Sequence, residues 1–212
     1  MLDRKRIFDL TCCVVAAPVA LPLGLLVTVL VRVTSGRPAL YRGPRMGRGG
    51  RTFRILKFRT MTTTAQAASG VTSADDARIT AIGRWLRRTK LDELPQLLNV
   101  LRGEMSVVGP RPEDPRFAAL YRGPYAAILD VRPGITGPAA VQFRHEEELL
   151  RAAGVSDADA YYAAEVLPVK LGIDLAYVAH PSLRNDLSVL RATVRAVARH
   201  RRTAAGLLSR HP

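Results

Sequence analysis

The chain has 212 residues, enough for one well-buried core and short for two, and 32 Lys and Arg against 18 Asp and Glu give it a formal charge of +14. The two cysteines, Cys12 and Cys13, are neighbours in an apolar run, which excludes a disulfide framework and fits a reducing compartment. Aromatic residues make up only 6 % and are not regularly interleaved with the basic ones, which argues against a nucleic-acid surface.

The charge is clustered. Nine basic residues and no acidic one lie between Arg32 and Thr60, and seven basic residues face a single acid from Arg184 to the end. Glu146, Glu147, Glu148, Asp157, Asp159 and Glu165 form an acidic stretch between them. Such a distribution points to an anionic partner: nucleic acid, a membrane surface or a phosphate-bearing substrate.

Leu10 to Val31 is a run of 22 residues without charge. A straight helix of that length measures about 33 Å, against a hydrocarbon core of about 30 Å. Pro18 and Pro22 near its middle remove amide donors and free carbonyls inside lipid, so a helix-break-helix is expected. Arg4, Lys5 and Arg6 flank one end and Arg32, Arg37, Arg42 and Arg45 the other. A re-entrant hairpin keeps both clusters on the cytoplasmic side, so it is favoured over a single span, and a cleaved signal peptide fits worst.

Downstream, Gly36 to Gly50 reads as turns, Arg51 to Arg59 as a short strand, and Thr62 to Ser73 as a mobile loop. A helix capped by Asp75 or Asp76 follows, with Ile79, Ile82 and Leu86 as its stripe. A second helix begins near Asp92, runs through Leu94, Leu97, Leu98 and Leu101, tolerates Pro95 in its first turn and stops at Gly103. Met105 to Val108 reads as a strand and Val131 to Pro138 as a rigid turn. Tyr161 to Val178 and Leu187 to Val197 read as helices, the latter with Arg191, Arg195 and Arg199 opposite its apolar stripe, as on an anionic membrane. The whole is an α+β chain, mostly helical, with a small β element.

The chemistry sits in Asp92, Glu93 and Arg111. An ionised Asp at a helix start is favoured by free amides and can attack phosphorus. Glu93 can hold Mg²⁺, which takes one or two carboxylates plus substrate phosphates. Arg111, between Pro110 and Pro112, presents a stiffly held donor fork to phosphate oxygens.

The series Lys57-Phe58-Arg59-Thr60-Met61, Asp76 to Gln96, Gly109 to Pro112 and Arg132 to Thr136 resembles the bacterial sugar transferases. These are the monotopic polyprenyl-phosphate phosphoglycosyl transferases. The likeness continues through Leu167 to Leu171, Asp174 to Val178 and Asp186 to Thr193. It implies one domain over residues 1–212, a minimal catalytic form with a re-entrant membrane helix at 1–34 and a cytoplasmic interfacial part at 35–212. It places the protein on the cytoplasmic face of the bacterial inner membrane, among membrane lipids and with room for a homo-oligomer.

The resemblance implies that Asp92 attacks a nucleoside diphosphate sugar, usually a UDP-sugar, expelling UMP. Polyprenyl phosphate then takes the phosphosugar from the aspartyl intermediate, which begins exopolysaccharide, O-antigen or glycoconjugate synthesis. Glu93 would bind Mg²⁺, Arg111 with its flanking Pro110 and Pro112 would hold phosphate, and Arg87 would seat the nucleotide. Lys57 and Arg59 would lie near the lipid phosphate, and Arg144 in the region that shapes the sugar pocket. Ala17-Pro18 stands where the family commonly has Ser-Pro, and Gly137 to Arg144 departs from the commoner pattern. The alternative reading is a catalytically silent membrane-surface scaffold; a nucleic-acid binder has only the charge in its favour.

Overall fold

The computed structural model describes residues 3–62, 71–72 and 76–198. Most of the expected loop from Thr62 to Ser73, together with Asp75 and Arg199, lies outside them.

Helix α1 spans Arg4–Ser35, and the Asp3 side chain caps it by accepting from Arg6 N at 2.6 Å. The expected interruption is absent: Pro18 and Pro22 both lie inside one continuous helix. Proline removes a single donor and can bend a helix without ending it. Here contacts on both sides of the prolines hold the run helical, because Asp9, Cys13, Val27 and Val31 are all buried. The other face is bare, with Val14, Val15, Val19, Leu21, Leu25 and Leu26 between 64 % and 73 % exposed. By length and composition this is the one helix among the described residues fit to cross a membrane.

A hairpin follows. Strand β1, Leu40–Met46, pairs antiparallel with β2, Thr52–Phe58, in register Leu40↔Phe58 to Met46↔Thr52. β2 matches the expected strand, whereas β1 occupies a stretch whose Gly and Pro content reads as turns. A two-stranded sheet consists of edges, so Pro44 is tolerated there without a lost ladder bond.

Helix α2, Ala81–Thr89, starts later than expected. Its cap is Thr80, whose hydroxyl accepts from Gly83 N at 3.0 Å, while Asp76 turns instead to the amide and guanidinium of Arg78. Gly83 is required by packing: a Cβ there would stand 2.1 Å from the Thr60 carbonyl. Lys90, left-handed at φ 58, ends α2 and opens a 3₁₀ turn at Leu91–Glu93. Helix α3, Gln96–Arg102, follows and stops at Gly103. The helix expected from Asp92 is therefore split, with Asp92 in the 3₁₀ turn ahead of it.

Strands β3, Ser106–Val108, and β4, Gly134–Thr136, pair in parallel, so the Val131 to Pro138 turn contains a strand. Beyond lie α4 (Pro138–Gln142), α5 (Glu146–Ala153), α6 (Ala158–Tyr161), a π turn at Tyr162–Val166, α7 (Leu167–Ala179) and α8 (Leu183–Ala198). The largest apolar cluster joins Phe117, Ile128, Leu150, Tyr162, Val166 and Leu171. Two smaller ones include α1: Val27 and Val31 with Phe58 and Leu86, and Cys13 with Ile55, Val100 and Met105. The fold is mostly helical with two small sheets.

Candidate active site

A cavity of about 1210 Å³ opens between the hairpin, the α2–α3 connection and α5. Lys57, Arg87, Asp92, Glu93, Arg111 and Arg144 all line it. Its size suits a nucleotide-sized ligand.

Glu93 is the hub. Its Oε1 accepts from Lys57 Nζ at 3.1 Å and from Arg111 Nη2 at 3.0 Å. Burial pushes its carboxyl up, but the Arg111 and Lys57 charges outweigh that and hold it well below the usual carboxylate range. Burial pulls the Lys57 ammonium down against the opposing pull of Glu93. Asp92, 5 % exposed, behaves differently from its neighbour. Burial raises its pKa and the Glu93 charge adds to this, while Lys57 only partly offsets them. The expectation that a helix start would favour its ionised form is thus corrected, since the residue sits buried in a three-residue 3₁₀ turn. Its Oδ1 is buried without a hydrogen-bond partner.

Arg87 donates from Nε to Thr60 Oγ1 at 2.9 Å and from Nη1 to Glu147 Oε1 at 2.8 Å. Arg59 lines the cavity as well, with its guanidinium turned toward the end of α1. It is 2 % exposed and its guanidinium donates to the carbonyls of Ser35, Gly36 and Arg37, closing the end of α1. Arg144 donates to the Ala196 carbonyl and so ties the cavity wall to α8. Pro110 and Pro112 are buried behind the wall and hold the Arg111 backbone rather than facing the cavity. Their neighbour Gly109 is pressed against β4, where a Cβ on Gly134 would meet the Gly109 amide at 2.1 Å.

The donor set suits magnesium held in part by its substrate. Among the described residues no three His, Cys, Asp or Glu side chains converge into a cage. Asp92 Oδ1 has no partner, and both bonds to Glu93 end on Oε1. Hard oxygens in that number, completed by water and phosphate, are what Mg²⁺ takes.

Sequence reasoning assigned no role to Thr60, Glu147 or Lys170. Lys170 is 2 % exposed and binds Glu113 Oε1 at 2.9 Å and Glu146 Oε2 at 2.7 Å, with the Tyr162 hydroxyl completing the set. The only signal for it was a lysine inside the apolar Leu167 to Leu171 stretch.

The family model described as bacterial sugar transferase matches residues 2–200. The chain belongs to that family. Over 201 residues it is 38 % identical to the UDP-glucose:undecaprenyl-phosphate glucose-1-phosphate transferase of Caulobacter vibrioides, covering 90 % of this chain and 68 % of that one. It is 38 % identical over 200 residues to the undecaprenyl-phosphate glucose phosphotransferase of Komagataeibacter xylinus, covering 91 % of this chain but 35 % of that protein. A third relative, the sugar transferase EpsL of Bacillus subtilis, is 36 % identical over 91 % of this chain and 86 % of its own. The chain thus spans about a third of one of these sugar transferases and most of another.

Proposed function

We propose that the protein transfers a sugar 1-phosphate from a UDP-sugar to polyprenyl phosphate at the cytoplasmic face of the inner membrane, starting an exopolysaccharide or related glycan. The observation that carries this is the pairing of an unpartnered, buried Asp92 carboxylate with a Glu93–Lys57–Arg111 cluster on one cavity wall. The names of the relatives support the substrate class.

An Asp92 oxygen attacks the β-phosphorus of the donor, and the bond to the bridging oxygen breaks with its electrons leaving on UMP. A polyprenyl phosphate oxygen then attacks the same phosphorus, the aspartyl bond breaks, and the carboxylate is restored. Arg111 and Lys57 lie where charge develops on the phosphoryl oxygens. Arg87, braced by Thr60, meets the rest of the diphosphate after exchanging Glu147 for it. Glu93 and Asp92 would hold Mg²⁺ together with the substrate phosphates. A cation held there would supply charge neutralisation of the diphosphate and so ease departure of UMP.

The geometry of α1 supports a re-entrant placement. Its first turns are bonded to the same body as its last: Arg6 to the Val100 and Leu101 carbonyls, and Ser35 to Arg59. A helix crossing the bilayer would carry one end away from that body. Held along that body at both ends, the helix dips its exposed apolar face into one leaflet and seats the cavity at the interface.

The test is purified protein in detergent with Mg²⁺, undecaprenyl phosphate and a panel of UDP-sugars, following UMP release. Without acceptor, a phosphosugar adduct is expected on Asp92 by mass spectrometry. Near-normal turnover by Asp92→Asn would overturn the assignment.

A further inference from the structure

Lys5, Arg6 and Asp9 in the first turns of α1 are each fastened to a different part of the body. Lys5 Nζ lies 2.6 Å from Asp186 Oδ2 on α8. Arg6 donates to two carbonyls at the end of α3, the helix that begins just after Glu93. Asp9 is 0 % exposed, and its Oδ1 accepts from Ser106 Oγ at 2.8 Å and from Val107 N at 2.9 Å. An acidic side chain fully withdrawn from water on an otherwise apolar helix is costly, and such groups persist where they hold something specific.

Both donors to Asp9 belong to β3, which runs directly into Gly109-Pro110-Arg111. On its other side the same segment is bound to β4, by Gly109 N to Thr136 O at 2.9 Å and Gly134 N to Pro110 O at 2.8 Å. The loop that presents Arg111 is therefore gripped between the membrane helix and β4. Asp9 supplies the hydrogen bonds on the helix side, and the two rigid prolines transmit that position to the guanidinium.

We propose that Asp9 is a positioning residue that sets the Arg111 loop from the membrane helix, so that the seat of α1 is read directly in the geometry of the Arg111–Glu93 pair. The claim rests on the proposed function for its kinetic readout and on the hydrogen bonds alone for its structural one. Displacements of about 1 Å at a reacting group can cost about 100-fold in rate. Losing two hydrogen bonds at one end of the loop is of the right size to matter.

The full chain in bilayer nanodiscs is assayed with undecaprenyl phosphate, Mg²⁺ and the UDP-sugar it turns over, alongside hydrogen–deuterium exchange. Asp9→Ala is expected to lower kcat by about 30-fold with KM changed by less than about threefold. It should also speed exchange at Val107 to Arg111 but not along α7. Asp9→Asn keeps the accepting oxygen and should restore both readouts. Combined with Arg111→Lys, Asp9→Ala should cost nothing further, because the two act through one loop.

Unchanged exchange and kcat in Asp9→Ala would overturn the proposal, as would penalties that multiply in the double variant. Should Asp9→Ala leave the membrane or unfold, Ser106→Ala removes the donor from the opposite side with α1 intact and is judged by the same criteria. If wild-type protein turns over no UDP-sugar, the proposed function fails, while the exchange pattern still decides the role of Asp9.

Discussion

Two ion clusters, each built on a buried hub, stand on neighbouring walls of the cavity with opposite polarity. At Glu93 one carboxylate faces two cations, Lys57 and Arg111. At Lys170 one ammonium faces two carboxylates, Glu113 and Glu146, and Tyr162 donates to Glu113 at 2.8 Å to complete the set. The Lys170 cluster is satisfied within itself and fastens α7 to α5 and to the loop beyond Arg111. The Glu93 cluster keeps a surplus of positive charge beside the unpartnered Asp92 oxygen. Burial alone does not mark a functional site; an unfilled charge balance on a cavity wall does.

Substitutions can separate the two. Asp92→Asn should cut kcat by about 1,000-fold or more, with folding intact because a buried carboxylate is replaced by a neutral isostere; UMP release and thermal unfolding read the two effects. Lys170→Met should strip the half-buried Glu113 and Glu146 carboxylates of their shared cation and lose about 3 kcal/mol of stability, measured by denaturant unfolding in detergent. Lys57→Met should reverse that pattern. Glu93 keeps Arg111, so stability should change by about 1 kcal/mol or less, while turnover falls about 100-fold. Equal stability losses in the two lysine variants would erase the distinction.

Subtler effects follow from protons. The raised pKa of Asp92 should place the acid limb of kcat/KM above the pKa of a free aspartate, since the proposed attack is lost as Asp92 is protonated. Asp174, behind Arg111, is raised to about 7 by burial, which the Lys170 charge only partly offsets. Below about pH 4 both folded and unfolded states hold its proton. Between that pH and about 7 only the folded state does, so stability falls as pH rises and the loss is complete above. Asp174→Asn should abolish this fall, seen as a Tm advantage over wild type that grows from acid to neutral pH. Smallest of all, Lys90→Gly relieves a left-handed side chain and should gain about 0.5–1 kcal/mol.

The sequence was most legible where one residue type admits one physical role. Gly103 as a helix stop, the β2 alternation and the apolar run of α1 read correctly, because capping, period and hydropathy are local. Asp92, Glu93, Arg87, Lys57 and Arg111 do share a cavity, although their convergence depends on long-range packing that spacing does not encode. What escaped the sequence shares a cause. Arg59 looks like one more cation in a basic stretch, and only the folded chain shows three carbonyls at the end of α1 waiting for it. β1 and β4 are strands whose Gly and Pro content argues for turns, formed because a partner strand is present. Asp9 escaped notice because the charge-free run was counted from the residue after it.

Helix α1 supplies Cys13, Val27 and Val31 to two of the three apolar clusters, and its charged first turns bond to three separate elements. It is therefore a structural member as well as a tether. Cutting it away to obtain a water-soluble fragment would strip Phe58, Leu86 and Met105 of cover and free the β3 edge beside Arg111. The expected product is an aggregating, inactive polypeptide, so detergent or lipid belongs in any preparation meant to keep the catalytic arrangement whole.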